Sequence, residues 1–403
     1  MPNTSPPSLL AQRQFVRFWL ARLGGITANQ MLMVAVAWHI YDITSSAWDL
    51  GLVGLFQFLP ALVMTLPAGH VADRLHRGRI FAACMAAQAA VALLLVAATQ
   101  GGFATRELIF GISVVLGAAR AFQMPAQQAL TPLLVPQALL PRAIAISSSG
   151  VQAAVICGPA LGGVLYAAGA STVYVSCAVL LGLSCALTLA VRYRHRPSTE
   201  SATVRTVLAG VAFVWQHKLL LGATSLDLFA VLLGGATALL PIYARDILHT
   251  GPAGLGLLRA APAFGALAMS LVLTRWPLQR RVGHKLLAAV AVFGLATLVF
   301  GLSTHFGLSL LALAITGAAD NISVVTRMTL VQLETPDAMR GRVAAVNSIF
   351  IGASNQLGEF ESGATAALFG PVGSVVMGGV GTMLVAALWL RLFPALARRD
   401  RMV

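Results

Sequence analysis

Arg22, Arg120, Asp227, Arg259, Asp320, Arg327, Glu359 and Glu361 all stand inside long apolar runs. An ionised side chain near the centre of a bilayer costs at least about 2.5–3.5 kcal/mol, so each of these needs a counter-charge, a watery cavity or a task. Carboxylates that take and release a proton beside guanidinium groups can switch charge, because protonation removes the negative partner and weakens the pair. Asp320, Asp227 and Glu359 are therefore proton-coupling candidates. Arg22, Arg120, Arg327, Asn355 and Gln356 are candidates for lining a cavity and meeting a polar or anionic substrate. Asp320 is favoured as the proton site because Asp227 falls about eight residues, or ~12 Å, from the end of its run. Other readings stay open: Asp320 and Arg327, seven residues apart on one helix face, steady each other; Asp227 is a static latch; Glu359 and Glu361 reach the interface from a helix end; Arg259 snorkels.

The elements that carry these residues follow from composition. Of 403 residues, 58% are hydrophobic and 10% charged, far below the roughly 25% charged residues of a soluble protein. Twelve stretches of about 20 apolar residues, each long enough to span ~30 Å of hydrocarbon, run over 15–41, 49–70, 79–102, 107–131, 143–167, 171–191, 219–243, 253–274, 285–303, 307–333, 341–365 and 371–392; they are called spans 1 to 12. The predicted fold is an all-α integral membrane protein of twelve transmembrane helices. Of the 27 Lys and Arg residues, twenty lie between spans or at their ends on the side that also holds both termini, two (Arg106 and Arg245) on the other, and five deeper within spans. That bias predicts cytoplasmic termini in a bacterial inner membrane.

The net charge of +14 is spread over these short loops, not gathered on a soluble basic face, so no nucleic-acid partner is expected. Cys84, Cys157, Cys177 and Cys185 have no metal-type spacing. The chain also lacks His-Glu-x-x-His, Gly-x-Ser-x-Gly and a Walker loop, which excludes the usual protease, hydrolase and ATP-driven classes. Neither cofactor nor metal is expected. The first apolar stretch has no small-residue cleavage site, so no cleavable signal is expected.

The halves resemble each other at an offset near 200. Gly117-Ala118-Ala119 matches Gly317-Ala318-Ala319, and Leu133, Pro136, Ala138, Arg142 and Ala145 match Leu333, Pro336, Ala338, Arg342 and Ala345. The predicted organisation is an N-terminal six-helix bundle at 1–191, a polar basic linker at 192–218 and a C-terminal bundle at 219–403. A parallel repeat of this kind suits a transporter that rocks two bundles around a central site. Arg120 and Asp320 lie 200 apart and Arg22 and Asp227 205 apart, basic in the first half and acidic in the second. The expectation is a set of opposed charges facing across the cavity.

Gly69-x-x-x-Asp73-Arg74-x-x-Arg77 followed by Arg79, between spans 2 and 3, resembles the cytoplasmic gate loop of the major facilitator superfamily, with His76 and Gly78 departing from its usual pattern. Gly158-Pro159-x-x-Gly162-Gly163 in span 5 resembles that superfamily's antiporter motif, which goes with exporters; tight helix packing is the plainer reading. Trp38-His39-Ile40-Tyr41-Asp42-Ile43-Thr44, Leu59-Pro60, Pro125-Ala126 and Arg340-Gly341-Arg342-Val343 are similar to the bacterial enterobactin-exporter and macrolide-efflux group. The resemblance implies a cavity lined by spans 1, 4, 7 and 10, and a monomeric secondary transporter that exports a siderophore or drug-like molecule in exchange for protons among membrane lipids. A passive facilitator, an importer or a lipid flippase of the same fold is the alternative.

Overall fold

The computed structural model describes residues 9–193, 204–278 and 280–400; Arg194, Arg196 and Arg401 of the basic segments lie outside them. Among the described residues the regular structure is helical. Eleven helical segments are long and apolar enough to cross a membrane. The last, Met339–Leu392, would measure about 80 Å at 1.5 Å per residue, more than twice the hydrocarbon thickness. It is two helices, because Gly370 has φ 76° and ψ 162°, a conformation open essentially to glycine alone. Spans 11 and 12 meet there and Pro371 starts the second, which makes twelve crossings, as the hydropathy predicts.

Local signals place the other ends. Gly102, with φ 69°, caps the helix Arg77–Gly101, and the Thr105 hydroxyl accepts from Leu108 N–H to open Arg106–Leu130. Gly169, at φ 126°, separates Leu140–Ala167 from Ala170–Leu189.

Two expectations need correction. Span 7 is not continuous: Lys218–Gly234 is α-helical, then the chain breaks at Gly235 and continues as short 3-10, α and π turns to Ile247. The Ser362 hydroxyl donates to the Gly235 carbonyl at 3.1 Å and so satisfies a group that the break removes from the helix ladder. The segment 192–218 is not a polar linker throughout. Val204–Gln216 is a helix, and its Val214 joins Leu220, Val331 and Val343 in a buried apolar cluster, because apolar residues recur on one of its faces.

The chain forms two compact units, Met1–Val36 with Leu59–Ala202, and Ala37–Phe58 with Thr203–Val403. In the first, span 3 packs on spans 4 and 6, and the span 5 motif lies against span 1. A Cβ on Gly158 would sit 3.2 Å from the Thr27 carbonyl, and one on Gly162 2.8 Å from Met31 Cα. In the second, span 9 packs on span 12, with the Gly379 carbonyl beside Gly294, and span 11 packs on span 7, where a Cβ on Gly358 would sit 3.0 Å from the Val231 and Leu232 carbonyls. Gly158 and Gly358 occupy the same place 200 residues apart. Spans 8 and 10 cross closely, Gly317 lying against the Pro262 carbonyl and Gly265 against that of Ala314. Small residues of this kind allow backbones to pack in lipid without a hydrophobic driving force.

Candidate functional site

Three spans of the second unit bring their polar residues to one point. Asp227 is buried on the helix Lys218–Gly234. Asp320 stands fourteen residues from either end of Phe306–Glu334, about 21 Å from each and so near mid-membrane. Arg327 lies two turns further along. Its Nη2 is 3.0 Å from Asp227 Oδ2, with the two side chains 1% and 8% exposed. Its Nη1 donates to Asn347 Oδ1 on span 11, and Nε is left without an acceptor. Asp227 and Asp320, with Ser323, Val290 and Phe293, line a pocket with about 10 Å³ of accessible space, room for about one water molecule.

The first unit holds a matching knot. Arg22 Nη1 donates to Ser147 Oγ at 2.6 Å. The Gln127 amide oxygen, in the orientation that satisfies both ends of the amide, accepts from Arg22 Nη2 and Nε at 3.2 and 3.1 Å. Gln127 and Arg327 are 200 residues apart, as are Ser147 and Asn347. Spans 1, 4 and 5 thus contribute Arg22, Gln127 and Ser147, while spans 7, 10 and 11 contribute Asp227, Arg327 and Asn347. In the second knot an arginine has replaced glutamine and the span 7 residue is an acid, so that knot neutralises itself. In the first, the partners of Arg22 are neutral, and no acid pairs with it among the described residues.

This arrangement corrects the expected pairing. The partner of Asp227 is Arg327 of the same unit, and the groups holding Arg22 belong to its own unit, because in each unit the three spans bring these side chains within bonding reach. Arg120 is exposed and makes no ion pair among the described residues. On span 11, Asn355 is exposed and donates to the Ile351 carbonyl at 2.9 Å. Gln356 is half-buried, with its carbonyl over Gly54. Glu359 also packs on Gly54, a Cβ at which would lie 3.1 Å from its Oε2, and Glu361 turns to Ser362. Asn355, Gln356, Glu359 and Glu361 are therefore not among the residues that line the pocket of Asp320.

In the gate loop, Gly69 faces open space, Asp73 and Arg74 end the helix Ala47–Arg74, Arg77 starts the next, and Arg74 and Arg79 are exposed. The unusual His76 and Gly78 share a partner: Tyr193 Oη accepts from Gly78 N–H at 3.0 Å and lies 3.2 Å from His76 Nδ1. Gly163, the last of the span 5 glycines, is buried with Pro159.

The family model of transmembrane secretion effectors matches residues 4–401. The chain belongs to this family of major facilitator transporters. The transporter is 28% identical to the enterobactin exporter EntS of Citrobacter koseri, over 95% of this chain and 92% of that protein. Its fold is that of a bacterial homolog of the human lysosomal transporter Spinster in an inward-facing, occupied conformation, with TM-score 0.77, 14% identity and 96% and 97% of the two chains covered. A bacterial homologue of the iron transporter ferroportin in an inward-facing state superposes with TM-score 0.72 at 15% identity, over 98% and 100% of the chains. These comparisons make the chain a multi-pass membrane transporter of the all-α twelve-span class and not an enzyme.

Proposed function

We propose that the transporter exports a polar or anionic small molecule from the cytoplasm in exchange for protons, by alternating access, as a monomer in a bacterial inner membrane with both termini inside. The observation that carries this reading is the charge count around the small pocket: Asp227 and Asp320 are two carboxylates, and Arg327 cancels one. Asp227 holds the short ion pair, so Asp320 supplies the remaining negative charge. A proton neutralises it without the shell of coordinating oxygens that a metal cation needs, which the mostly apolar lining of Ala230, Val231, Val290, Phe293 and Ala319 does not offer. Arg22, held by neutral partners, supplies a cation of the first unit for an anionic substrate. The similarity to enterobactin exporters points to a siderophore-sized cargo, and the Gly158-Pro159 packing accords with an exporter.

The test is transport of enterobactin in proteoliposomes under an imposed pH gradient, with Asp320→Asn beside the parent. The parent is expected to accumulate substrate against its gradient with counterflow of protons, and Asp320→Asn to retain only downhill exchange. Full proton coupling in Asp320→Asn would overturn the assignment. Transport by the parent that ignores the pH gradient would make it a passive facilitator.

A further inference from the structure

The basic residues that follow span 12 are not simply strewn along a loop. The helix Pro394–Ala397 turns the chain back onto the start of Val282–Leu302, the helix that carries span 9, and the backbone then makes two hydrogen bonds: Val282 N–H donates to the Asp400 carbonyl at 3.3 Å and Gly283 N–H to that of Arg399 at 3.0 Å. Gly283 makes the approach possible, since any Cβ there would collide with the Leu396 carbonyl. Arg281, immediately before, takes a left-handed conformation at φ 54°, and its N–H donates to Asp400 Oδ1 at 3.2 Å. Arg399 Nη2 is tied to Glu334 Oε1, at the end of span 10, at 2.7 Å.

The result is a built pocket of about 380 Å³ lined by Arg281, His284, Arg398, Arg399 and Asp400. Glu334 offsets Arg399, and Asp400 is the single acid in the lining. Arg281 and Arg398 remain as exposed guanidinium groups with no ion pair among the described residues. Because the carbonyls of the returning chain already satisfy the first N–H groups of span 9, those groups are not what an anion would meet. The side chains are.

We propose that this pocket binds a phosphate group, and that its occupant is the headgroup of an anionic phospholipid. Two guanidinium groups without a counter-charge attract an anionic phosphate by charge and donate hydrogen bonds to its oxygens, and an ammonium supplies the same charge as a point donor. The pocket also lies at the ends of spans 9, 10 and 12, on the side that the charge bias assigns to the cytoplasm, and span ends are where lipid headgroups meet a membrane protein. Folding the tail against span 9 preorganises the cations, which sets the site apart from loop arginines that only orient the chain.

Purified full-length transporter in mild detergent would be titrated with short-chain phosphatidylglycerol, with phosphatidylcholine, and with glycerol phosphate. Retained lipid would be read by native mass spectrometry and the thermal midpoint would be measured in parallel. Phosphatidylglycerol should bind at least about tenfold more tightly than phosphatidylcholine. Arg281→Gln with Arg398→Gln should erase that preference, Arg281→Lys with Arg398→Lys should keep most of it, and Arg391→Gln, an exposed arginine outside the pocket, should leave it intact. Glycerol phosphate competing at similar concentration would keep the phosphate site but make its occupant a soluble phosphate. Equal binding of both lipids, or a preference undiminished in the Gln pair or lost equally in Arg391→Gln, would overturn the proposal. The lysine pair keeps the test decisive even if the Gln pair folds poorly, since a pocket built for phosphate charge tolerates lysine.

Discussion

Arg327 Nη2 lies 3.0 Å from Asp227 Oδ2, with both side chains almost fully removed from solvent. Removing one partner of such a pair leaves an uncompensated charge in a low-dielectric interior. Asp227→Ala or Arg327→Ala should therefore destabilise the protein by about 3–5 kcal/mol. Replacing both by leucine should restore most of the stability, because an apolar pair has no desolvation cost. Thermal unfolding of the two singles and the double in detergent checks this. A double as unstable as the singles would mean that the pair's geometry, and not its charge, holds spans 7 and 10.

How far this site could be read in advance depended on how unusual each residue is in lipid. Asp227, Asp320, Arg327 and Arg22 stand out because charge in a span is costly. Gln127, Ser147, Ser323 and Asn347 are neutral and common enough in helices to pass unnoticed. Even so, the 200-residue repeat frame contained a pointer, since Gln127 aligns with Arg327 and Ser147 with Asn347. The pairing could not be read at all. Charge patterning shows which signs exist in each half, whereas the choice of partner depends on how three spans pack within one unit. The break at Gly235 was hidden for a related reason: neighbouring Ser362 satisfies the freed carbonyl, and hydropathy does not register such a bond.

Close crossing of spans 8 and 10 makes Gly317 irreplaceable. A Cβ there would overlap the Pro262 carbonyl, whereas Gly111 on span 4 faces open space. Gly317→Ala should lose about 1–3 kcal/mol or more, because backbone and not a flexible side chain is in the way. Gly111→Ala should be neutral or up to about 1 kcal/mol stabilising, as expected in a helix interior. Detergent melting curves of the two variants should separate clearly.

Gly370 makes a different demand. Its φ of 76° with ψ 162° is a conformation that an L-residue adopts at a cost of about 1–3 kcal/mol. Nothing lies within 4 Å of a Cβ at this position, so the penalty in Gly370→Ala would be conformational and free of any clash. The expected result is a lowered melting midpoint with the substrate affinity unchanged; a midpoint equal to the parent's would show that the turn between spans 11 and 12 relaxes without strain.

Within the second unit, the end of span 1 is fastened beside the π turn that follows span 7. The Tyr41 hydroxyl donates to Asp246 Oδ2. Arg245 Nη1 lies 3.5 Å from Asp42 Oδ1 and donates to the Tyr41 carbonyl at 3.3 Å, and its guanidinium stands 5.4 Å from the centre of the Tyr41 ring. The helix Arg13–Thr44 begins in the first unit and ends in the second, so the proposed rocking would work on these contacts in each cycle, and weakening them should shift the equilibrium between joined and parted states. Tyr41→Phe deletes one hydrogen bond to a charged acceptor at a partly exposed site, about 1 kcal/mol, which is about a fivefold change in that equilibrium. Spin labels attached through Ile43→Cys and His249→Cys, both exposed positions, would report the separation by pulsed resonance. The parent background should give mainly the short distance, and Tyr41→Phe should raise the long-distance population about fivefold while leaving the melting midpoint nearly unchanged. A single short distance in both backgrounds would mean that this contact is a permanent fastening, and opening would then have to occur elsewhere in the chain.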